Sequence, residues 1–388
     1  MPAGEKRADK VDGKMSENTT RDKINISSFL QKKDSQALYG VAILLMVFHH
    51  LFCIPDRLSY GYISIFGNYD FGARFAYHGR LCVAIYAFIS GYAASIASKK
   101  NPEMRACPRF RNSVRYSAAR MKKLYVKLWL VFAIFVPIGI LFFGVKTSVI
   151  EVILALITGF SAINIEWWYF FEYLLFALIY PLFDLSLHHR NRRELFIKTA
   201  VLVLVAVILP FIACANMARS GINEIGLMAL EMFISYIYIY MIGYFVEKWR
   251  LFDWLDSNLP SELKAITGVI LTGLIFVIRW FMVPANPGES KPDIILAPFL
   301  VFGLTLMLHS DIAERKVVPV LCLFGRYSTF MWLTHTFFIY YYFQPVILLP
   351  RVSILIFIWA VLISLVNAMI MEKIYEKIAG LKVPDKKG

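Results

Sequence analysis

Runs of about twenty apolar residues recur along this chain, and each is long enough to cross a bilayer as one helix, which needs roughly 20 residues within a working range of about 17–25. They fall at approximately 36–54, 79–98, 124–144, 166–185, 195–215, 228–246, 264–283, 294–309, 320–343 and 352–373. The composition leaves no soluble alternative. Of 388 residues, 59% are hydrophobic and only 18% charged, against roughly 25% charged in soluble domains. A soluble fold must present a polar exterior, and this chain has too little polar surface to build one. Disorder, a secreted disulfide scaffold and a DNA-binding domain fail on the same arithmetic. The expected fold is all-α and polytopic, with about ten transmembrane helices.

One further run, 148–163, is ambiguous, and charge asymmetry decides it. If it does not cross, both termini are cytoplasmic, and the inside segments carry 28 Lys and Arg against six outside. If it crosses, the His188–Arg193 loop moves outside, against the positive-inside rule. The run is therefore expected to be an interfacial or re-entrant helix on the outer face. The net charge of +14 then reports cytoplasmic loops and not nucleic-acid binding. The chain divides into a basic, disordered cytoplasmic tail (1–35), a transmembrane domain (36–373) and a short cytoplasmic tail (374–388). Asp34 or Ser35 is the expected cap of the first helix. No signal peptide, appended soluble domain or internal repeat is expected, and localisation to the cell membrane as a multi-pass protein follows. Five scattered cysteines, none in a C-x-x-C pair, argue against a disulfide framework or a metal site.

Ionisable groups at membrane depth are expensive and are site candidates by default. The first span ends in His49-His50, whose side chains diverge by about 100° on a helix. His50 lies eleven residues after Tyr39, nearly the same azimuth and roughly 16 Å further along. Tyr39, Ile43, Met46, Val47 and His50 thus share a stripe. An interfacial histidine pair and a functional imidazole, the usual general base near neutral pH, are both open readings. Arg80 heads the second span, and Ser90-Gly91 permits close helix approach. The basic stretch 99–127 reads mostly as topogenic charge. Within it Arg120 and Lys123, one turn apart at the mouth of the third span, can hold a phosphorylated ligand. Trp167 and Trp168 read as interfacial anchors or as a sugar-stacking platform. Ser328, Trp332 and His335 fall at i, i+4 and i+7 on one face of the ninth span. Arg279, Glu172 and Glu231 are further intramembrane charges with no assignable partner.

These pieces, in this order, resemble the acyltransferase type 3 family of polytopic membrane O-acyltransferases over roughly 36–373. The resemblance rests on Gly40–His50, Phe88-Ile89-Ser90-Gly91-Tyr92, Arg120–Lys123, Trp167-Trp168 with Tyr180-Pro181-Leu182, and Gly325-Arg326-Tyr327-Ser328 followed by Trp332-Leu333-x-His335. It implies transfer of an acyl group, commonly acetyl, from cytoplasmic acyl-CoA to a hydroxyl of an extracytoplasmic glycan or glycolipid. It also implies acyl-CoA as co-substrate, no bound cofactor and no metal. The family's essential histidine maps to His50. Its paired arginine motif maps to Arg120 and Lys123, the lysine keeping charge but losing the bidentate fork. The family usually carries a basic residue where this chain has Tyr39. His49, Tyr39, Arg80, Trp167, Trp168, Ser328, Trp332 and His335 are expected on the acceptor side or in support. A non-enzymatic exporter of glycans or small metabolites is the competing class.

Overall fold

The computed structural model describes residues 28–380 apart from 59–60, 66, 68, 102–104, 160–162, 220–223 and 283–290. The expected tails therefore lie largely outside the described residues. In chain order the helices are α1 (Lys32–Phe52), α2 (Tyr69–Ala76), α3 (Leu81–Lys99), α4 (Ala106–Phe142), α5 (Val149–Thr158), α6 (Trp168–Ser186) and α7 (Arg192–Arg219). They continue with α8 (Glu224–Lys248), α9 (Leu251–Ser257), α10 (Ser261–Met282), α11 (Lys291–Leu308), α12 (Val318–Thr336), α13 (Gln344–Ile347) and α14 (Ser353–Ile378). Among the described residues there is no strand, only an isolated bridge between Ile63 and Val352.

Nine helices among the described residues are long and apolar enough to cross a membrane. The tenth expected run, 195–215, falls on α7, whose 28 residues rise about 42 Å. Most of its side chains beyond Ala206 are outside the described residues. The ambiguous run forms α5, only 10 residues long. Ten residues rise about 15 Å, half the roughly 30 Å hydrocarbon core, so α5 is too short to cross. Ser148 caps it, accepting from the Glu151 N–H at 3.2 Å while Glu151 accepts from the Ser148 N–H at 2.8 Å. This reciprocal box starts the helix cleanly.

The first helix starts earlier than hydropathy suggests. Gln31 occupies the cap, and Asp34, three residues into the turn, accepts the Gln31 N–H at 2.9 Å. Asp34 is thus an acid near a helix N-terminus and not the cap residue, because the backbone is already helical at Lys32.

α3 is central and α10 peripheral: the buried share of the apolar window is 78% in the segment containing α3 and 17% in α10. α1 packs along α12, α3 along α8, α4 along α6 and α10 along α11. Lipid gives no hydrophobic drive for helices to associate, so close packing and polar contacts must hold them. Glycines provide that closeness. A Cβ on Gly325 would strike the Gln36 carbonyl, and one on Gly40 the Leu321 carbonyl. Gly91 and Gly243 make the equivalent contacts between α3 and α8, against Tyr240 and Phe88.

Buried charges are paired across helices. Arg279 donates to both Asp293 carboxylate oxygens, at 2.8 and 3.2 Å, joining α10 to α11. Glu231 pairs with Lys291 at 2.8 Å nearer the surface, where both side chains are exposed. Both were without an assignable partner in the sequence, because the partners arrive from other helices. Glu172 is fully buried and neither of its oxygens has a hydrogen bond among the described residues. At the opposite end of the bundle from His50, Arg109 is 3% exposed and pairs with Asp184. Ser98, Asn101 and Ser113 also donate to Asp184. Arg109 therefore fastens α3, α4 and α6 together, a role hidden within the topogenic reading of 99–127.

His309, just beyond α11, lies 3.2 Å from an Asp34 carboxylate oxygen. The hydrogen bond to Asp34 raises the His309 pKa from its ordinary value against the opposing effect of burial. Its stabilisation is full below the ordinary histidine range near 6.5 and is lost as pH rises through the raised value. The melting-temperature difference between wild type and His309→Gln in detergent should therefore be largest in mild acid and shrink towards alkaline pH. A pH-independent difference would remove the linkage.

Gly325→Ala and Gly91→Ala should each lower the melting temperature by several degrees, since overpacking costs roughly 1–3 kcal/mol. Gly273→Ala, where an added Cβ has no neighbour within 4 Å, should change it little. Size-exclusion profiles after heating give the comparison.

Candidate active site

The C-terminal turn of α1, the head of α3, the segment before α6 and the end of α12 converge on one cavity of about 180 Å³. That is roughly six water volumes. His49, His50, Arg57, Arg80, Glu166 and Trp332 supply its functional wall.

His50 is the most connected of these groups. Its ring packs 5.0 Å, centroid to centroid, from that of His335. Its Nε2 lies 3.9 Å from a Glu166 oxygen, beyond a hydrogen bond but within ion-pair reach. The Tyr340 hydroxyl donates to the His50 backbone carbonyl and lies 3.4 Å from His50 Nδ1. Glu166 is held from its other side by Arg57, whose Nη1 donates at 2.9 Å. The Arg57 guanidinium also sits 5.1 Å from the centre of the Tyr340 ring. A hydroxyl oxygen about 2.8 Å from both His50 Nε2 and the facing Glu166 oxygen would complete a triangle on that 3.9 Å edge. The site can thus take a proton from a bound hydroxyl and steady the imidazolium that forms.

His335 has a defined tautomer. Its Nδ1 lies 2.8 Å from the Trp332 carbonyl and 3.1 Å from that of Met331. Carbonyls only accept, so Nδ1 carries the hydrogen. Nε2 then offers a lone pair, and it has no partner among the described residues. His49 meets the same cavity from a different helical azimuth, and its Nδ1 engages the Ala76 carbonyl at 3.0 Å.

The other expected residues separate into groups. Arg80 reaches the cavity and donates to the Tyr236 hydroxyl at 3.4 Å and the Met232 sulfur at 3.1 Å. Trp168 lines the cavity and packs on Tyr236, with ring centroids 5.7 Å apart. Trp167 does not reach it: fully buried, it donates its indole N–H to the Leu333 carbonyl at 2.9 Å. Ser328 and Trp332 lie on the α12 face that carries His335, with Ser328 buried and bonded to the Gly325 carbonyl at 2.9 Å. Tyr39 stacks on Tyr86 at 5.3 Å, further along the bundle.

Arg120 and Lys123 part company. Arg120 turns inward, donating to the Tyr116 hydroxyl at 3.1 Å, 5.6 Å from the Tyr173 ring centre and in electrostatic reach of Tyr39. It lines a second cavity of about 20 Å³ with Ser90 and Tyr240. Lys123 is exposed on another face of α4.

Sequence reasoning missed Glu166 as a partner of His50, and Arg57 and Tyr340 altogether. In the sequence Glu166 directly precedes the tryptophan pair and Arg57 is one of the six outside charges. Tyr340 is presented by a π-helical turn, Phe337–Tyr341, which rotates it off the α12 register. Such single turns often mark functional sites.

The cavity of this all-helical membrane protein joins two imidazoles to a carboxylate held by arginine. The chain belongs to the Acyl_transf_3 family: the family model for its acyltransferase domain matches residues 36–372. It is an acyltransferase. No curated protein and no solved structure matches the chain.

Glu166→Gln should lower kcat for acyl transfer by about tenfold to a thousandfold, in line with loss of a stabilising electrostatic partner. It also strands Arg57 and should lower the melting temperature. Adding Arg57→Gln should recover stability but not turnover. Recovery of both would make the pair purely structural.

Proposed function

We propose that this acyltransferase moves an acyl group, acetyl in the simplest case, from cytoplasmic acyl-CoA to a hydroxyl of an extracytoplasmic glycan or glycolipid. The observation that carries the reading is the His50 imidazole, set between Glu166 and His335 in a cavity. His50 Nε2 takes the acceptor's hydroxyl proton as the oxygen attacks the thioester carbonyl. The carbon–oxygen bond forms and a tetrahedral oxyanion results. Its collapse breaks the carbon–sulfur bond, and the proton on His50 passes to the departing thiolate. Ester and CoA thiol leave, and His50 is neutral again. Glu166 supports the transient imidazolium, and Arg57 and Tyr340 position Glu166 and His50.

The donor's phosphates are assigned to Arg120 and Lys123 on the cytoplasmic half of α4, with Arg120 the stronger contact because it turns into the bundle. Where the family usually carries a basic residue this chain has Tyr39, and Arg120 is the cation within its reach. In this reading both termini are cytoplasmic and the His50 end of the bundle faces outward.

The test is acetyl transfer by purified protein in detergent or nanodiscs, scored at equal abundance of folded protein. His50→Ala should lose at least the 10²–10⁴-fold typical of a general base, and His49→Ala should be milder. Arg120→Ala should raise KM for the acyl donor more than Lys123→Ala does. Near wild-type transfer by His50→Ala overturns the assignment. Stable labelling of the protein by radiolabelled acetyl-CoA alone, lost in His50→Ala, would replace the base with an acyl-histidine carrier.

A further inference from the structure

The His50 cavity is lined by two guanidinium groups but one carboxylate. Arg57 is matched by Glu166 at 2.9 Å. Arg80, also on the cavity wall, has no carboxylate partner among the described residues. Its contacts are the Tyr236 hydroxyl and the Met232 sulfur, neither of which carries charge. The acids nearest to it are committed elsewhere. Asp293 acts on Arg80 through space but is held bidentately by Arg279. Glu231, adjacent in sequence to Met232, pairs with Lys291. A half-buried cation within the bundle without a counter-ion is costly. Arg109 and Arg279 show the paired arrangement, with Asp184 and Asp293, whereas Arg120, like Arg80, meets tyrosine and no carboxylate among the described residues.

Arg80 is also placed apart from the reacting group. Gly79, next to it in the chain, lies against His49, where an added Cβ would come within 2.8 Å of the His49 Cβ, whereas Arg57 holds Glu166, the carboxylate that faces His50. Arg80 therefore stands on the His49 side of the cavity, anchored to α8, with Trp168 packed on the same Tyr236 ring. That position suits a group fixed on the acceptor better than the oxyanion that develops beside His50.

We infer that the acceptor is anionic: it carries a carboxylate or a phosphate near its reactive hydroxyl, and Arg80 binds that group while the hydroxyl meets His50. This rests on the acyltransfer reading and names the class of acceptor within it. A guanidinium is suited to either oxyanion through paired donors, and burial of the complex would supply the counter-ion that Arg80 lacks.

Binding is the primary test, because it reads the acceptor's charge without turnover. Purified protein is melted, at constant ionic strength, with methyl glucoside, methyl glucuronide or methyl glucoside 6-phosphate. At least one anionic sugar should raise the melting temperature where the neutral one does not. Arg80→Gln should abolish that shift and Arg80→Lys should keep part of it. The carboxylate and phosphate arms identify which anion is preferred. Equal shifts with all three sugars, no shift with either anion, or a shift that survives in Arg80→Gln overturns the proposal.

Turnover gives a second readout with acetyl-CoA and the same sugars. The Arg80→Gln loss should fall on KM for the anionic acceptor by tenfold or more. An equal fall in kcat for neutral and anionic acceptors would instead assign Arg80 to the thioester oxyanion and overturn the inference. Anion binding without transfer to any sugar would count against the acyltransfer reading and not against the charge of the ligand.

Discussion

Where α1 and α12 touch, backbone meets backbone. Gly40 lies against Leu321 and Gly325 against Gln36, with no room for a side chain at either place. The two helices run in parallel at a nearly constant offset, so ten residues beyond each glycine stand His50 and His335. Ten residues rise about 15 Å on either helix, which brings both imidazoles to the same level, with rings 5.0 Å apart. The glycine contact thus sets the register of the site from well outside it. A slip of one residue would turn each histidine by about 100° and dismantle the pair.

Charge is the second constraint. In a medium without water a polar group needs a protein partner, and the long reach of arginine finds one across helix boundaries. Arg279 crosses from α10 to α11 and Arg109 from α4 to α6, so two of the bundle's enclosed ion pairs are also its inter-helix fastenings. Lys127 does the same between α4 and α14, meeting Glu372 at 2.7 Å. Glu166 is set apart from these pairs because its two oxygens face different groups, Arg57 on one side and His50 on the other. Glu172 follows no such pattern, and nothing in its surroundings accounts for a buried carboxyl there.

Hydropathy made the spans legible because it measures what lipid accepts. It does not mark where helical hydrogen bonding stops, which is why α1 begins at Lys32 and α4 continues for 37 residues through a basic first half. Helical spacing made the α12 face of Ser328, Trp332 and His335 legible, and separated His49 from His50. The rest of the site was out of reach for a different reason. Glu166 and Arg57 precede or follow helices, so no periodicity governs where they point. Tyr340 lies within a π-helical turn that breaks the register extrapolated from α12. Trp167 was misleading in the opposite sense, since its interfacial position in sequence coincides with full burial in the fold.

An activated acyl donor exposed to water is hydrolysed, so an acyltransferase must keep water from it more strictly than a hydrolase needs to. The interior beneath His50 is suited to this. Tyr169 meets Trp332 edge-on at 5.7 Å and Tyr86 at 6.1 Å, and Tyr86 stacks on Tyr39 at 5.3 Å. These contacts run from Tyr169 and Trp332, on the wall of the His50 cavity, to Tyr39, and the Arg120 cavity has room for a single water. Aromatic side chains pack tightly while keeping a hydroxyl for directional contacts. Tyr39 adds its ring to these packed aromatics, and Arg120 brings positive charge within its reach from α4.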